Sequence, residues 1–503
     1  MMETAHAVSD RPRHSRPRGR VLERILSSRA RLGVLCAFLV TIFLTGGSSR
    51  ADMQSLILLR PVSLLALGYG LLTLSRKHIR QYWPLVTIAG VTVVLTAVHL
   101  IPLPPGIWQS LPGRETIAEL DALLGLKDQW RPLTLDPQAT RNALFALATP
   151  CAVLVLGIQL DARQHEKLLT LILGLGVLTA IWGLLQLMGS PRGPLYLYSL
   201  TSYGSPVGLF ANRNHQAVFL ASLIPVMYCW AQLAQGLWKD IGTTRGKRGA
   251  MAMGGMLLLI PLILITGSRS GLLMLVFSAC VTAALITVAA PSGNRRRTHR
   301  SSALARIAPA AVGVVVVAGL GLVTIGLGRD RAFERLIGSD PIADTRADLL
   351  PETWRIAADM FPWGAGIGSF DDVYRMHEVD ALLRPSYVNH AHNDFLEVLM
   401  AGGLLGALLL IFTIMLFAVR GWAIWRAGRA EIRTNIRPAT ALTALAILFI
   451  ASLIDYPLRV PALASYAVLL AIWTGKGTQV ADLPLREHGP RRTRRGQHSE
   501  HGS

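Results

Sequence analysis

Apolar positions along most of the chain come in blocks. Each block runs about 17–25 residues, the length that crosses a hydrocarbon core, and short polar stretches separate them. Read as helices, they predict twelve spans, at about 32–47, 54–75, 84–103, 142–160, 166–188, 215–237, 250–266, 270–290, 308–327, 394–419, 438–455 and 459–474. The expected fold class is all-α: a polytopic membrane protein with about twelve transmembrane helices, its membrane domain filling 32–475. The flanking tails, 1–31 and 476–503, are rich in Arg, Gly, Pro, Ser and His. They carry too little apolar surface to bury a core, so both are expected to be disordered. Three segments between spans are long enough to hold structure: 104–141, 189–214 and 328–393. The last contains helix-like "RAFERLIG" and "ADLLPETWRIAADMF" and the Gly-rich turn "PWGAGIGSF". It predicts a helical cap loop between spans nine and ten.

Composition agrees with the membrane class, at 51% hydrophobic and 16% charged over 503 residues. The net charge of +20 would suit nucleic acid, but its distribution argues otherwise. "RPRHSRPRGR", "SRKHIR", "KDIGTTRGKR", "RRRTHR", "RGWAIWRAGRAEIR" and "RRTRR" fall on the tails and on the loops after spans two, six, eight and ten. These all lie on one side, which the positive-inside rule assigns to the cytoplasm. Both termini are thus expected inside, with membrane lipids and no nucleic acid as surroundings. Residues 11–51 also fit a signal-peptide pattern, a basic stretch and short apolar run before "GGSSRA"; the downstream topology is the same either way. The four cysteines sit inside spans without CxxC spacing and read as packing residues rather than disulfides or metal ligands.

With that topology, the polar residues at span ends share the outer face. "GLFANRNHQ" (208–216) enters span six with Asn212, Arg213, Asn214 and His215. "TGSRSG" (266–271) is the turn between spans seven and eight and carries Arg269. "NHAHND" (389–394) enters span ten with His390, His392 and Asn393, and "DYPLR" (455–459) joins the last two spans with Asp455 and Arg459. Outer loops are depleted of Arg, so Arg269 in so short a turn is suited to gripping a phosphate bidentately, with Arg213 as a second fork. His392, at a helix start that favours an anion nearby, suits a neutral imidazole accepting a proton from a hydroxyl. Asn393 reads equally as the N-cap. His390, His392, Asp394 and Glu397 have metal-ligating chemistry, but no second ligand cluster of recognisable spacing accompanies them, and no metal is expected. Gly402 and Gly406, four apart, read as a helix-packing face. Arg346, Arg355, Asp455 and Arg459 are candidates for orienting substrates or pinning the cap.

These residues resemble the O-antigen ligase and O-antigen polymerase superfamily of bacterial envelope glycosyltransferases. Its pattern, His-[Asn/Ser/Gln], nine residues, then Gly-x-x-Gly, is matched by His392-Asn393, residues 394–402 and Gly403-Leu-Leu-Gly406. The "ANRNH" entry, the "SRSG" turn, the loop from Arg346 through Trp354 to Pro362–Phe370 and the late "DYPLR" extend the likeness over roughly 130–460; "PLTLDPQATRNALF" (132–145) adds a weaker match. The resemblance implies metal- and cofactor-free glycan transfer from an undecaprenyl diphosphate carrier on the periplasmic side of the bacterial inner membrane. It also implies that outer-face arginines hold the diphosphate and the motif histidine does the chemistry, at Arg213, Arg269 and His392. The acceptor is left open between lipid A-core, a growing glycan or polysaccharide, and protein, so O-linked oligosaccharyltransfer stays an alternative. A transporter of similar span number should instead keep its polar residues near the bilayer midplane.

Overall fold

The computed structural model of the protein describes residues 26–233, 245–289, 341–380, 388–434 and 436–475. Every expected span is met by a helix except 308–327, which lies outside the described residues. In chain order the main helices are α1 (Ser28–Thr45), α2 (Leu56–Thr73), α3 (Trp83–Val98), α4 (Pro137–Ala146), α5 (Ala148–Gly157), α6 (Ala162–Met188), α7 (Arg213–Gln232), α8 (Arg245–Ile265), α9 (Arg269–Ala289), α10 (Pro341–Asp359), α11 (Phe370–His377), α12 (Asp394–Thr434), α13 (Ile436–Ala451) and α14 (Pro461–Trp473). Helices α4 and α5 together form one apolar stretch, Pro137–Gly157. Seven stretches among the described residues are long and apolar enough to cross a membrane, and α3, α13 and α14 are shorter apolar helices. The all-α expectation holds apart from a two-residue antiparallel ladder, Pro102–Leu103 with Arg131–Pro132.

Helix α7 is not among those seven, and its position explains why. It packs against α6, α8, α9 and α13, and nearly every residue from Arg213 to Ala231 is buried. A helix walled by protein needs no lipid-facing apolar surface, so Asn214, His215, Gln216 and Ser222 are tolerated along it. Close approach is made by small residues: a Cβ on Gly271 of α9 would collide with Ala217, and one on Gly176 of α6 with Leu223. Phe219 packs tilted against Phe43 of α1 at 5.2 Å and edge-on against Tyr466 of α14 at 5.3 Å between ring centroids. Helix–helix contact of this kind, rather than expulsion of water, holds a membrane bundle together.

A second apolar cluster covers one end of α12. Leu349, Ile356 and Met360 from α10 and its end join Phe370, Val373 and Tyr374 of α11 over Ala391 and Met400. Of the expected cap 328–393, residues 328–340 and 381–387 lie outside the described residues.

The cap is tied to α12 through a break in that helix. Gly403 has φ +56, where an L side chain is strained, and a Cβ there would strike the Pro362 carbonyl. The carbonyls freed by the break are taken up by the Gly-rich loop. Ala365 N–H donates to Met400 O and Gly366 N–H to Ala401 O, both at 2.9 Å, and Leu404 N–H donates back to Pro362 O at 2.8 Å. Non-helical backbone in an apolar helix is tolerable only when protein satisfies the freed groups in this way. The tightest approach on this helix is at Gly403; of the expected pair, a Cβ on Gly402 would lie 3.3 Å from Ile367 and 3.8 Å from Leu95, a close packing contact, whereas Gly406 abuts Val398 of its own helix. Gly366, at φ +112, lies against Thr134 where a Cβ would not fit.

Candidate active site

Four chain segments meet at one end of the bundle: the start of α7, the α8–α9 turn, the start of α12 and the α13–α14 turn. A chain of hydrogen bonds joins them. Ser268 Oγ donates to Asn214 Oδ1 at 2.8 Å. Asn214 Nδ2 donates to Asp455 Oδ2 at 2.7 Å, and Asp455 Oδ1 lies 3.3 Å from His392 Nδ1. Asp455 is buried at 1% exposure, a costly place for a carboxylate unless its oxygens are paired. The Tyr456 N–H supplies a further bond at 3.0 Å.

The backbone turns sharply to present His392. It is the one non-glycine residue with positive φ among the described residues, at +51. That conformation costs an L residue roughly 1–2 kcal/mol, so neighbouring contacts must fix it. On one side the Ala391 N–H donates to Glu397 at 3.1 Å; on the other the Asp394 N–H donates to Ser452 O at 2.9 Å. Between these anchors the imidazole is turned onto Asp455.

Tyr456 is the centre of the aromatic packing. Its ring lies 4.5 Å from His390, 4.8 Å from His392 and 5.1 Å from His215, centroid to centroid. His215 Nε2 is 3.9 Å from Asp455 Oδ1. His390 pairs instead with Glu397, its Nδ1 3.1 Å from Oε1. Glu397 and Asp394, both buried, share Arg459: its Nε donates to Asp394 Oδ1 at 3.1 Å and its Nη2 lies 3.5 Å from Glu397 Oε1. Burial alone would weaken the charge on Arg459, but Glu397 and Asp394 outweigh it and raise the guanidinium above its ordinary range. Ser452 Oγ completes Asp394 at 2.8 Å. Among the described residues no group of three or more His, Cys, Asp or Glu is placed to hold a metal ion.

The two arginines flank the same hydrogen bond. Arg213 precedes Asn214 and Arg269 follows Ser268, so each is the first residue of its helix, α7 or α9. Arg213 is buried and Arg269 exposed. Two helix N-termini, each carrying a guanidinium, add dipole to charge and favour an anion.

Other candidates make local contacts or lie outside the described side chains. Asn212 caps α7, its side chain accepting from Asn214 N–H at 2.8 Å. Asn393 caps α12 through Leu396 N–H at 3.0 Å and donates to Leu453 O at 3.1 Å. Arg355 is exposed on α10 and pairs within that helix, with Glu352 and, at 3.1 Å, Asp359. The side chain of Arg346 lies outside the described residues. Sequence reasoning did not single out Tyr456, Ser268 or Ser452. The "DYPLR" and "SRSG" motifs contain the first two, but nothing in the sequence set the phenol or the hydroxyl apart from an ordinary turn residue.

No curated protein matches the chain. One family description does match, over residues 254–411, from within α8 to within α12; the segment includes Arg269, His390 and His392 but neither Arg213 nor Asp455. That description is O-antigen ligase, and it is this segment of the chain that is similar to the O-antigen ligase family.

Proposed function

We propose that the protein transfers a glycan from a polyprenyl diphosphate carrier to an acceptor hydroxyl on the periplasmic face of a bacterial inner membrane. The observation that carries this reading is the chain Ser268–Asn214–Asp455–His392, with an arginine beside each of its first two members, in a membrane protein with a segment similar to the O-antigen ligase family. The match of residues 254–411 to the O-antigen ligase family supports glycan transfer of the ligase or polymerase type.

The reaction has two difficulties, a weak nucleophile and negative charge building on the departing diphosphate. His392 addresses the first. With its Nδ1–H donated to Asp455, Nε2 keeps its lone pair and can take the proton of the attacking hydroxyl, worth about 10²–10⁴-fold. The acceptor oxygen bonds to the anomeric carbon as the bond from that carbon to the diphosphate oxygen breaks. Arg213 and Arg269 meet the second difficulty as fixed cations at helix N-termini, the kind of preorganised charge that usually supplies the larger share. The acceptor is a lipid A-core, a growing polysaccharide or a protein side chain, and the donor-side chemistry is common to all three.

The test is His392→Ala in cells lacking the chromosomal copy, at matched protein level. Glycoconjugate output should fall at least about 10²-fold; normal output removes the histidine from the chemistry. Reconstitution with a carrier-linked glycan and each acceptor class, with and without a chelator, identifies the acceptor.

A further inference from the structure

At the end of the bundle away from the candidate site, α6, α7 and α8 enclose a recess of ≈ 170 Å³. Trp230 on its wall lies seventeen residues beyond Arg213 along α7, roughly 25 Å at 1.5 Å per residue, so the two places are separate. Glu166 and Lys167 come from the first two turns of α6, and Arg248 from the first turn of α8. Leu169, Trp230 and Leu233 supply an apolar wall. Arg248 is buried, and its guanidinium lies over the Trp230 ring, 5.1 Å from the centroid, which fixes its orientation. Glu166 Oε1 lies 3.5 Å from Nη2 of buried Arg437 on α13. Arg163 and Asp161, whose charges also act on Glu166, are opposite in sign. Among the described residues, Lys167, Arg248 and Arg437 therefore stand against Glu166, and the cluster carries two positive charges in excess.

A signal for membrane orientation needs only exposed Lys and Arg on a loop. Arg248 is instead buried against Trp230, and a buried charge is costly until it is matched. The matching group is an anion, and the wall selects its kind. A free phosphate has no use for Leu169, Trp230 and Leu233, whereas a lipid brings a glycerol and the start of its acyl chains along with its phosphate. Helices α6 and α8 are candidate membrane spans, so their ends at the recess lie where the headgroups of one leaflet pass the bundle, the setting in which basic pockets between helices take anionic lipids. The volume agrees: a water occupies about 30 Å³, which leaves room for a phosphate and glycerol but not for a whole lipid. We propose that the α6–α7–α8 recess binds the phosphate of an anionic phospholipid, Arg248 offering a planar fork and Lys167 a mobile point charge.

The experiment uses the full chain in phosphatidylcholine nanodiscs with a trace of phosphatidylglycerol that bears a photoreactive group on its head glycerol. The label should fall on residues 166–170, 230–233 and 248–251 and be displaced by unlabelled phosphatidylglycerol. Lys167→Gln, at an exposed position, should weaken that competition about fivefold, the contribution of one cation at a lipid surface, with its thermal midpoint unchanged. Lys167→Gln/Arg248→Gln should weaken it further. Lys77→Gln removes an exposed charge from the helix between α2 and α3 and should leave it as it was. Label spread around the bundle, or an equal loss in Lys77→Gln, would reduce the effect to diffuse surface charge and overturn the proposal. So would displacement of the label by inorganic phosphate, which would mark a site for a free anion, or cysteine crosslinks that place residues 234–244 in the recess. Binding is read without turnover, so the result stands apart from the transfer reaction proposed above.

Discussion

A single carboxylate organises the candidate site: Asp455 contacts residues from α7, from the start of α12 and from its own turn. Asp455→Asn keeps the size and the bond potential but removes the charge that favours Nδ1–H on His392. We expect kcat to fall of order 10²-fold while donor KM changes little, measured in reconstituted vesicles. Equal activity would mean the pair is structural. Arg269→Lys probes the other half: the ammonium keeps the charge and loses the fork, so donor KM should rise about tenfold, and full activity would argue against a bidentate grip. The histidines and arginines were legible because charged and imidazole groups at the ends of greasy helices are conspicuous. Tyr456 and Ser268 were not, since a phenol or hydroxyl in a short turn reads the same whether it lies on the surface or at the centre of a cluster. Nor does any spacing along the chain announce that residues 214 and 455 share a hydrogen bond.

Helix positions followed from apolar run length, because a span must be long enough and its ends polar; α12 still hides its break from sequence. Apolar residues continue unbroken through 399–412, so hydropathy shows one helix where Gly403 interrupts it and the 362–366 loop plugs in. Gly403→Ala must pay for a positive φ and a clash with Pro362 O. It should destabilise the detergent-solubilised protein by at least about 1–2 kcal/mol, read as a lowered thermal midpoint, and Gly402→Ala should cost less. The cap carries a pH-dependent contact as well. Asp372 of α11 shares a hydrogen bond with Asp136, the N-cap of α4, and this pairing, with some burial, pushes Asp372 up to about 6 from 3.8. A carboxyl raised on folding stabilises the fold while protonated. Its contribution is complete below the unfolded value near 3.8 and is lost as pH rises through about 6. Asp372→Asn, able to donate to Asp136 at any pH, should therefore flatten the midpoint between pH 4 and 7. The gain above pH 6 should be about 0.5 kcal/mol, small because Asp372 is exposed.

At the scale of the molecule, the candidate residues are joined in the sequence only by a topological argument: groups at alternate loop ends face one compartment. The structure brings the starts of α7, α9 and α12 and the α13–α14 turn together, as that argument requires, while the sidedness of the cluster rests on the distribution of Lys and Arg. Sided labelling tests it. Lys127 and Lys77 are both exposed. Lys127 lies in the 104–136 segment, which is tied to the cap through Arg114 Nη2 donating to Gly364 O at 3.0 Å, while the same nitrogen donates to Leu133 O within the segment at 2.7 Å. Lys77 lies in the short helix Arg76–Gln81 between α2 and α3. In a background with the native cysteines replaced, a membrane-impermeant maleimide added to spheroplasts should react with Lys127→Cys and spare Lys77→Cys until the membrane is opened. The reverse pattern would put the histidine and arginines on the cytoplasmic face. A carrier-linked glycan displayed outside the cell could not reach them there, and the periplasmic transfer reaction would have to be abandoned even if His392 proved essential.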